Sequence, residues 1–206
     1  MPGISTGYNR LAPVYTFLTK IVFGRSIQTS QLHFLSHLQP DHRLLILGGG
    51  SGDLLKAILE KQPKLIIDYI DISSKMIKLA RQKIPAAATV NFIEGTEQNI
   101  PDTTYDAVIT NFYLDLFPDA ALSQVIATIK KSLPTNAKWL VTDFVNEKIW
   151  HRIMLWIMYR FFRITTGIEA SRLPHWESAL LKSGIQEVES AKYYGRFIKS
   201  SVYKIS

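Results

Sequence analysis

A run of glycines directly after a short apolar strand is the feature that most limits how this chain can fold. Residues 43–47 read RLLIL, an apolar run of the kind that is buried on both faces of a parallel sheet. The run ends in GGGSG at residues 48–52, and residues 53–61 have the composition of a helix that stops near Pro63. This order of strand, glycine loop and helix predicts the first unit of an α/β domain.

The alternation of strands and helices continues along the chain. We predict further strands over residues 65–70, 89–94, 105–110 and 139–144, with two more in 186–205, and helices over residues 75–83, 120–132, 147–165 and 174–183. The first forty residues have helical periodicity, divided at Gly24 and closed by Pro40. The pattern predicts one α/β domain over residues 1–206, with a mainly parallel sheet and helices on both faces. The last two strands have no helix between them, so one of them should run antiparallel.

The spacing of the glycines restricts the ligand. A phosphate-binding P-loop requires Gly-Lys-Ser/Thr at its end, but here Gly52 is followed by Asp53 and Leu54. A dinucleotide fingerprint that starts at Gly48 requires glycine at position 53, and the carboxylate of Asp53 at a helix N-terminus disfavours a pyrophosphate. The loop therefore suits a ligand without phosphates, whose charged end is an amino acid and a sulfonium.

Asp71 follows the second predicted strand. A carboxylate at this place can accept hydrogen bonds from both hydroxyls of a ribose, as an acid about 20 residues beyond the loop does in nucleoside-binding folds. The alternative is purely structural: the glycines form a tight turn, and Asp71 caps the helix that follows it. The loop, the acid and the alternating strands together favour the nucleoside site.

Four segments carry a resemblance to a known family: residues 45–55, 69–76, 92–101 and 105–109. As a set they resemble the motifs of class I S-adenosylmethionine-dependent methyltransferases, over roughly residues 8–145. The resemblance implies a Rossmann-like sheet of seven strands in the order 3-2-1-4-5-7-6, with strand 7 antiparallel. It also implies S-adenosylmethionine as cofactor, and these cofactor-binding residues: Gly48, Gly49, Gly50, Gly52, Asp71, Ile72, Met76, Thr96, Glu97 and Asn111.

The opening segment at residues 8–15 (YNRLAPVY) is similar to the start of ubiquinone/menaquinone-biosynthesis methyltransferases, where it folds over the cofactor. This implies a helical lid over residues 1–40 on a core of residues 41–206, with Tyr8 and Tyr15 at the cofactor. Two positions depart from the family pattern. Ile46 and Thr96 stand where the family usually has acids, so either Thr96 or Glu97 would contact the adenine.

Methyl transfer from a sulfonium needs little beyond the alignment of the acceptor with a methyl group that is already activated, so a catalytic signature is not required. The segment after the fourth strand supplies the candidates. Asn111 can polarise an acceptor or contact the cofactor, Tyr113 can face the substrate, and Asp115 can act as a base or be only a solvated loop acid. We interpret His151 as a core or surface residue rather than a site residue.

The segment from Trp150 to Phe162 carries more large apolar side chains than one core-facing stripe requires. It can be a buried helix, the wall of a pocket for an apolar acceptor, or a contact with a membrane or a second subunit. Its charges make it unfit to span a bilayer. The net charge of +7 is compatible with an anionic surface, but the cations are scattered and no nucleic-acid motif accompanies them, so nucleic acid is not expected as a partner.

The leading hypothesis is an enzyme that methylates a small, hydrophobic or aromatic acceptor on oxygen, carbon or nitrogen. Two alternatives stay open: a nucleic-acid methyltransferase, which the sequence NFYL at residues 111–114 does not favour, and a degenerate Rossmann domain that binds a nucleoside or a partner. The chain has no cysteine, so no thiolate metal site or disulfide is expected, and no metal is predicted. With no signal-peptide pattern at the N-terminus, we expect a cytoplasmic protein.

Overall fold

The computed structural model describes residues 22–205, so the expected contributions of Tyr8 and Tyr15 lie outside the described residues. The strands are β1 (Arg43–Leu47), β2 (Ile66–Asp71), β3 (Val90–Glu94), β4 (Ala107–Asn111), β5 (Lys138–Phe144), β6 (Ile185–Tyr193) and β7 (Ile198–Ile205). The helices are α1 (Ser26–Leu32), α2 (Asp53–Lys61), α3 (Ser74–Arg81), α4 (Asp119–Lys130), α5 (Ile149–Thr166) and α6 (Trp176–Lys182).

The strands form one sheet of seven in the order β3-β2-β1-β4-β5-β7-β6. Neighbours are parallel from β3 through β5, whereas β7 runs antiparallel to both β5 and β6. The α/β fold class, the strand order and the antiparallel strand 7 are confirmed. From β1 to β5 the predicted elements begin and end within about two residues of the observed bounds.

The central strands are buried on both faces of the sheet. Alternate residues of β1 point to opposite faces, so they join different cores. Leu45 and Leu47 join a core with α4 and α6, while Leu44 and Ile46 join a second core with α2. A third cluster, at the end of the sheet, joins the inner side of α5 to Phe144 and Phe197. This arrangement explains why β1 is a continuous apolar run rather than an alternating one.

The N-terminal helices differ from the prediction. Gly24 turns the chain with φ +55°, as expected for a break, but α1 ends at Leu32 instead of continuing to Pro40. A 3₁₀ turn over Leu35–His37 follows. Leu35 and Leu38 are buried beside β1 and α2, and this tertiary burial outweighs the helical periodicity of the segment.

No helix within residues 22–205 has the length and apolar character needed to cross a bilayer. The segment from Trp150 to Phe162 lies in α5, which is buried on one side only. Leu155 and Tyr159 are 5% exposed, whereas Trp156 is 65% exposed.

Gly52 is the N-cap residue of α2 and has φ +84°. A substitution here tests how tightly the start of α2 packs on α3. A Cβ at Gly52 would lie 2.6 Å from the Cα of Ala80. We expect Gly52→Ala to lower the free energy of unfolding by about 2–4 kcal/mol, from the left-handed backbone and the overpacking together. Chemical denaturation measures this loss.

The matched control is Gly167→Ala at the end of α5. Gly167 has a similar φ of +72°, but no described atom lies within 4 Å of the place where its Cβ would be. Only the backbone cost of about 1–2 kcal/mol should appear there. Equal losses for both variants would contradict the packing role of Gly52.

Candidate functional site

The strand order reverses between β1 and β4, and ligands in open α/β sheets bind at the carboxyl ends of the strands beside such a reversal. A cavity of about 1630 Å³ lies there. It is lined by the loop after β1, the ends of β2 and β4, and the inner side of α5. Its volume exceeds the roughly 300–1,000 Å³ typical of a single small-molecule site, so it has room for two ligands side by side.

Tyr69 supports the glycine loop (residues 48–52) through a hydrogen bond and a ring contact. The Tyr69 hydroxyl donates a hydrogen bond of 2.8 Å to the carbonyl of Gly50. A Cβ on Gly49 would lie 2.1 Å from the Tyr69 ring, so glycine is required for the loop to rest on it. Gly48 and Gly50 have φ of +65° and +69°, a backbone that also favours glycine. The loop exposes backbone rather than side chains to the cavity.

Asp71 joins the end of β2 to this loop. Its Oδ2 accepts a hydrogen bond from the Gly50 N–H at 2.7 Å, and its Oδ1 accepts one from the Ser73 N–H at 2.8 Å. Burial raises the pKa of Asp71, although the two backbone donors act against this. Ser73, not Asp71, caps α3, with its Oγ accepting from the Met76 N–H at 3.3 Å. Asp71 therefore organises the loop, and each of its oxygens retains a lone pair for a ligand in the cavity.

The other residues assigned to the adenosine lie along the same wall: Ile72, Met76, Thr96 and Glu97 all line the cavity. The Thr96 hydroxyl accepts from the Gln98 N–H at 3.3 Å and caps the turn Glu97–Asn99. The Glu97 carboxylate is buried and accepts a hydrogen bond of 2.7 Å from the Tyr113 hydroxyl. Thr96 and Glu97 both remain candidates for the adenine contact.

Tyr113 lines the cavity, but its hydroxyl is committed to Glu97. Burial and the neighbouring Glu97 carboxylate raise the pKa of Tyr113 well above its usual value, so it does not ionise near neutral pH. Its ring packs under Gly48, where a Cβ would come within 2.7 Å of Cδ2. The structure thus places Tyr113 as a support between the loop and Glu97, and the catalytic role expected from the sequence stays a prediction.

Asn111 and Asp115 each have one polar side-chain atom that is buried and unsatisfied. The Nδ2 of Asn111 and the Oδ1 of Asp115 are buried and have no hydrogen-bond partner among residues 22–205. Both side chains line the cavity. A buried polar atom without a partner costs about 1–3 kcal/mol and is rare in folded proteins, so these two positions are candidates for a function. Asp115 is not the solvated loop acid of the alternative interpretation, because it is 6% exposed.

Three residues around Asp115 were not identified as site residues from the sequence. Asp143, at the end of β5, accepts a hydrogen bond of 3.2 Å from the Asp115 N–H, and the Tyr159 hydroxyl donates one of 2.9 Å to the Asp115 carbonyl. Phe112 has φ +51°, an unfavourable backbone for phenylalanine that is often found at functional sites. The acid within the apolar run at residues 139–144, at the end of a strand beside β4, was the signal that could have revealed Asp143.

Gly52 and His151 lie away from the cavity. Gly52 does not line the cavity, and the contact with Ala80 described above explains its glycine. His151 is fully buried, and its Nδ1 accepts from the backbone N–H groups of Glu147 and Lys148 at 3.0 and 3.3 Å. His151 thereby caps the start of α5, in agreement with its interpretation as a structural residue.

The remaining lining is apolar and aromatic. It is built mainly from the end of β5, the first described residues and the inner side of α5, and includes Phe23, Ile27, Phe112, Phe144, Met154, Met158, Phe161 and Phe162. The cavity thus combines a polar wall at the glycine loop and Asp71 with an apolar wall beneath α5. Between these two walls lie Asn111, the last residue of β4, and Asp115, from the chain that links β4 to α4.

A loop shaped by glycine, a buried acid at the end of β2 and this strand order define a nucleoside-binding, Rossmann-like domain of the methyltransferase type. A family described as "Methyltransferase domain" matches residues 45–138. Through this match and the relatives below, the chain is similar to class I S-adenosylmethionine-dependent methyltransferases.

Among curated relatives, the chain is 25% identical to the ubiquinone/menaquinone biosynthesis C-methyltransferase of Wigglesworthia glossinidia brevipalpis, over 76% of this chain and 65% of the relative. It is 29% identical to the demethylmenaquinone methyltransferase of Thermotoga maritima, over 67% of this chain and 60% of the relative. The chain thus spans less than two thirds of the length of these relatives. The magnesium protoporphyrin IX methyltransferase of Synechocystis PCC 6803, solved with bound SAH, shares the fold with a TM-score of 0.71, at 15% identity and 98% coverage of each chain.

Proposed function

We propose that this chain binds S-adenosylmethionine in the cavity and transfers its methyl group to a small apolar acceptor. The observation that carries the proposal is the pairing of Asp71 with the glycine loop at one wall of a cavity large enough for two ligands. S-adenosylmethionine supplies, when bound, a methyl group on a sulfonium that is already activated for displacement. The protein then has to bind and orient both molecules and exclude water from them.

The residues present fit this cofactor. We assign the ribose to Asp71, whose carboxylate reaches the cavity with unused lone pairs, and the adenine to the wall of Ile72, Met76, Thr96 and Glu97. The backbone of residues 48–50 leaves room for the amino-acid end of the ligand. The expected lid over residues 1–40, with Tyr8 and Tyr15, remains part of the proposal.

The acceptor is proposed to occupy the apolar wall beneath α5. Aromatic and methionine side chains line this part of the cavity, as they do in sites for flat apolar ligands. Two of the relatives are named for methylation in quinone biosynthesis, which supports an aromatic ring as acceptor. Asp115 and Asn111 line the cavity, so we assign to the Asp115 carboxylate the proton that such an acceptor loses and to the Asn111 amide a hydrogen bond to its oxygen.

The cytoplasm is the proposed location. A chain without cysteine has no disulfide to lose in a reducing compartment.

The competing function is a nucleoside-binding module without catalysis. The unsatisfied Oδ1 of Asp115 favours the enzyme, because a carboxyl buried beside a ligand cavity is costly unless a function retains it.

Titration calorimetry with S-adenosylmethionine and S-adenosylhomocysteine tests the cofactor site. Both should bind with a dissociation constant below about 1 mM, since each presents the same adenosine to Asp71. Absence of binding by both at millimolar concentration would overturn the proposal. Binding without transfer of label from methyl-labelled cofactor to any component of a lipid extract would favour the non-catalytic module.

A further inference from the structure

The outer side of α5 is an apolar surface that nothing within residues 22–205 covers. Its members share one face of the helix: apart from the adjacent Trp156 and Ile157, successive members are three, four or seven residues apart. Ile149 and Ile164, near the two ends, are 78% and 77% exposed, and Trp156 between them is 65% exposed. The outer face of α5 is defined here by Ile149, Ile153, Trp156, Ile157 and Ile164.

Cations accompany this outer face. Arg152, Arg160 and Arg163 are exposed on α5, and the helix contains no aspartate or glutamate. The guanidinium of Arg160 lies over the Trp156 ring, 5.8 Å from its centroid. The nearest acid before the helix is Glu147, which is already engaged by Lys192 and Arg196. Exposed apolar side chains with arginines beside them are typical of helices that lie in the interface of a membrane.

We propose that the outer face of α5 binds the surface of an anionic lipid membrane. The apolar side chains would enter the boundary between headgroups and acyl chains, and the arginines would contact anionic headgroups. Charge complementarity favours this occupant over a second copy of the chain. A symmetric contact between two copies would bring the arginines of one helix close to those of the other, and α5 has no acid to pair with them.

The cavity lies next to the outer face of α5, which suggests what membrane binding would do. Ile157 is 51% exposed on the outer side of α5 and also lines the cavity, so the cavity lies directly beside the proposed membrane surface. Docking by this face would bring the apolar wall of the cavity close to the bilayer. An apolar acceptor could then enter from the lipid without crossing water, a consequence that rests on the proposed function, whereas membrane binding itself does not.

Co-sedimentation of the full chain with lipid vesicles, in the absence of methyl donor, tests the proposal. One set of vesicles contains phosphatidylcholine alone, and the other also contains phosphatidylglycerol. We expect binding to the anionic vesicles that is at least about tenfold tighter than to phosphatidylcholine and that weakens with added salt. I153S/W156S should weaken this binding at least about tenfold, and R152Q/R163Q should abolish the preference for anionic lipid.

The matched control is L181S/V188S, which removes two apolar side chains of similar exposure, 66% and 62%, from α6 and β6. It should leave vesicle binding unchanged.

Tryptophan fluorescence gives a second readout of vesicle binding. Trp139 and Trp176 are buried, and Trp150, 36% exposed, packs on Tyr194 and Phe197. Trp156 is 65% exposed, so a blue shift on binding should come mainly from Trp156. Trp156→Phe should bind vesicles with most of this shift lost.

Three results would overturn the proposal. The first is no binding to anionic vesicles, and the second is equal binding by wild type and I153S/W156S. The third is a chain that does not bind vesicles but forms a concentration-dependent dimer, which I153S/W156S does not form. That result would assign the outer face of α5 to a second copy. Calorimetry with S-adenosylhomocysteine on I153S/W156S separates this outcome from failure of the cofactor site.

Discussion

Replacing Asp71 with alanine is expected to weaken the binding of S-adenosylmethionine by about 10- to 150-fold, the equivalent of about 1.5–3 kcal/mol for lost hydrogen bonds to a charged group. The variant loses the carboxylate proposed to hold the ribose. It also frees the Gly50 N–H, which donates to Asp71 at 2.7 Å and thereby fixes the glycine loop. Titration calorimetry of the purified variant measures the change directly.

Tyr69→Phe is the control that separates the ligand contact from support of the loop. It removes the 2.8 Å hydrogen bond between the Tyr69 hydroxyl and the Gly50 carbonyl and leaves Asp71 in place. If Asp71 binds the ribose, Tyr69→Phe should cost much less affinity than Asp71→Ala. Equal losses would mean that Asp71 acts only through the loop. Thermal unfolding of both variants without ligand verifies that they fold.

The sheet could be predicted from the sequence because its signals are local. The pentapeptide of β1 is apolar after its first residue, and Ser73 stands where a helix cap is needed. Glycine at positions 48–50 announces a close backbone turn, and Asp71 is placed by the length of one strand-helix-strand unit. Each of these features can be recognised without knowing what the residue contacts.

The partners across the site could not be predicted, because they depend on contacts between distant parts of the chain. The sequence does not show that the hydroxyl of Tyr113 donates a hydrogen bond to Glu97, sixteen positions earlier. Asp143 reaches the backbone of Asp115 across 28 positions, through the pairing of β4 with β5. The end of α1 at Leu32 was missed for the same reason, since burial of Leu35 and Leu38 decides it.

The surface of α5 shows a different limit. Its composition is apolar on most sides, so the sequence alone does not say which side faces the core. The structure places Leu155 and Tyr159 inward and Trp156 outward. Only this division turns an unusually apolar helix into two distinct surfaces, one on the cavity and one exposed.

The largest effect on catalysis is expected for Asp115→Asn. A general base contributes about 100- to 10,000-fold to the rate, so kcat should fall in that range for an acceptor that loses a proton. Calorimetry should show S-adenosylmethionine binding little changed, because Asp115 is assigned to the acceptor. A variant that retains full activity would remove Asp115 from the mechanism.

The pH profile tests the same assignment independently of the size of the loss. Burial raises the pKa of Asp115 from 3.8 to about 7, and the base must be ionised to accept a proton. Wild-type kcat/KM should therefore rise with pH and level off above about 7, while the residual activity of Asp115→Asn should not follow this curve. A wild-type profile that is flat between pH 5 and 8 would argue against a titrating base.

The same pKa has a consequence for stability that runs opposite to activity. A carboxyl whose pKa is raised on folding binds its proton more tightly in the folded state, so its contribution to stability is complete below pH 3.8 and is lost as the pH rises to about 7. The amide introduced by Asp115→Asn cannot ionise, so the melting temperature of this variant relative to wild type should increase between pH 5 and pH 8. The charge of Asp115 also raises the pKa of Asp143, so the comparison reports the titration of this pair and not of Asp115 alone. A difference in melting temperature that stays constant with pH would show that Asp115 does not carry a buried charge, and the base would have to be sought elsewhere in the cavity.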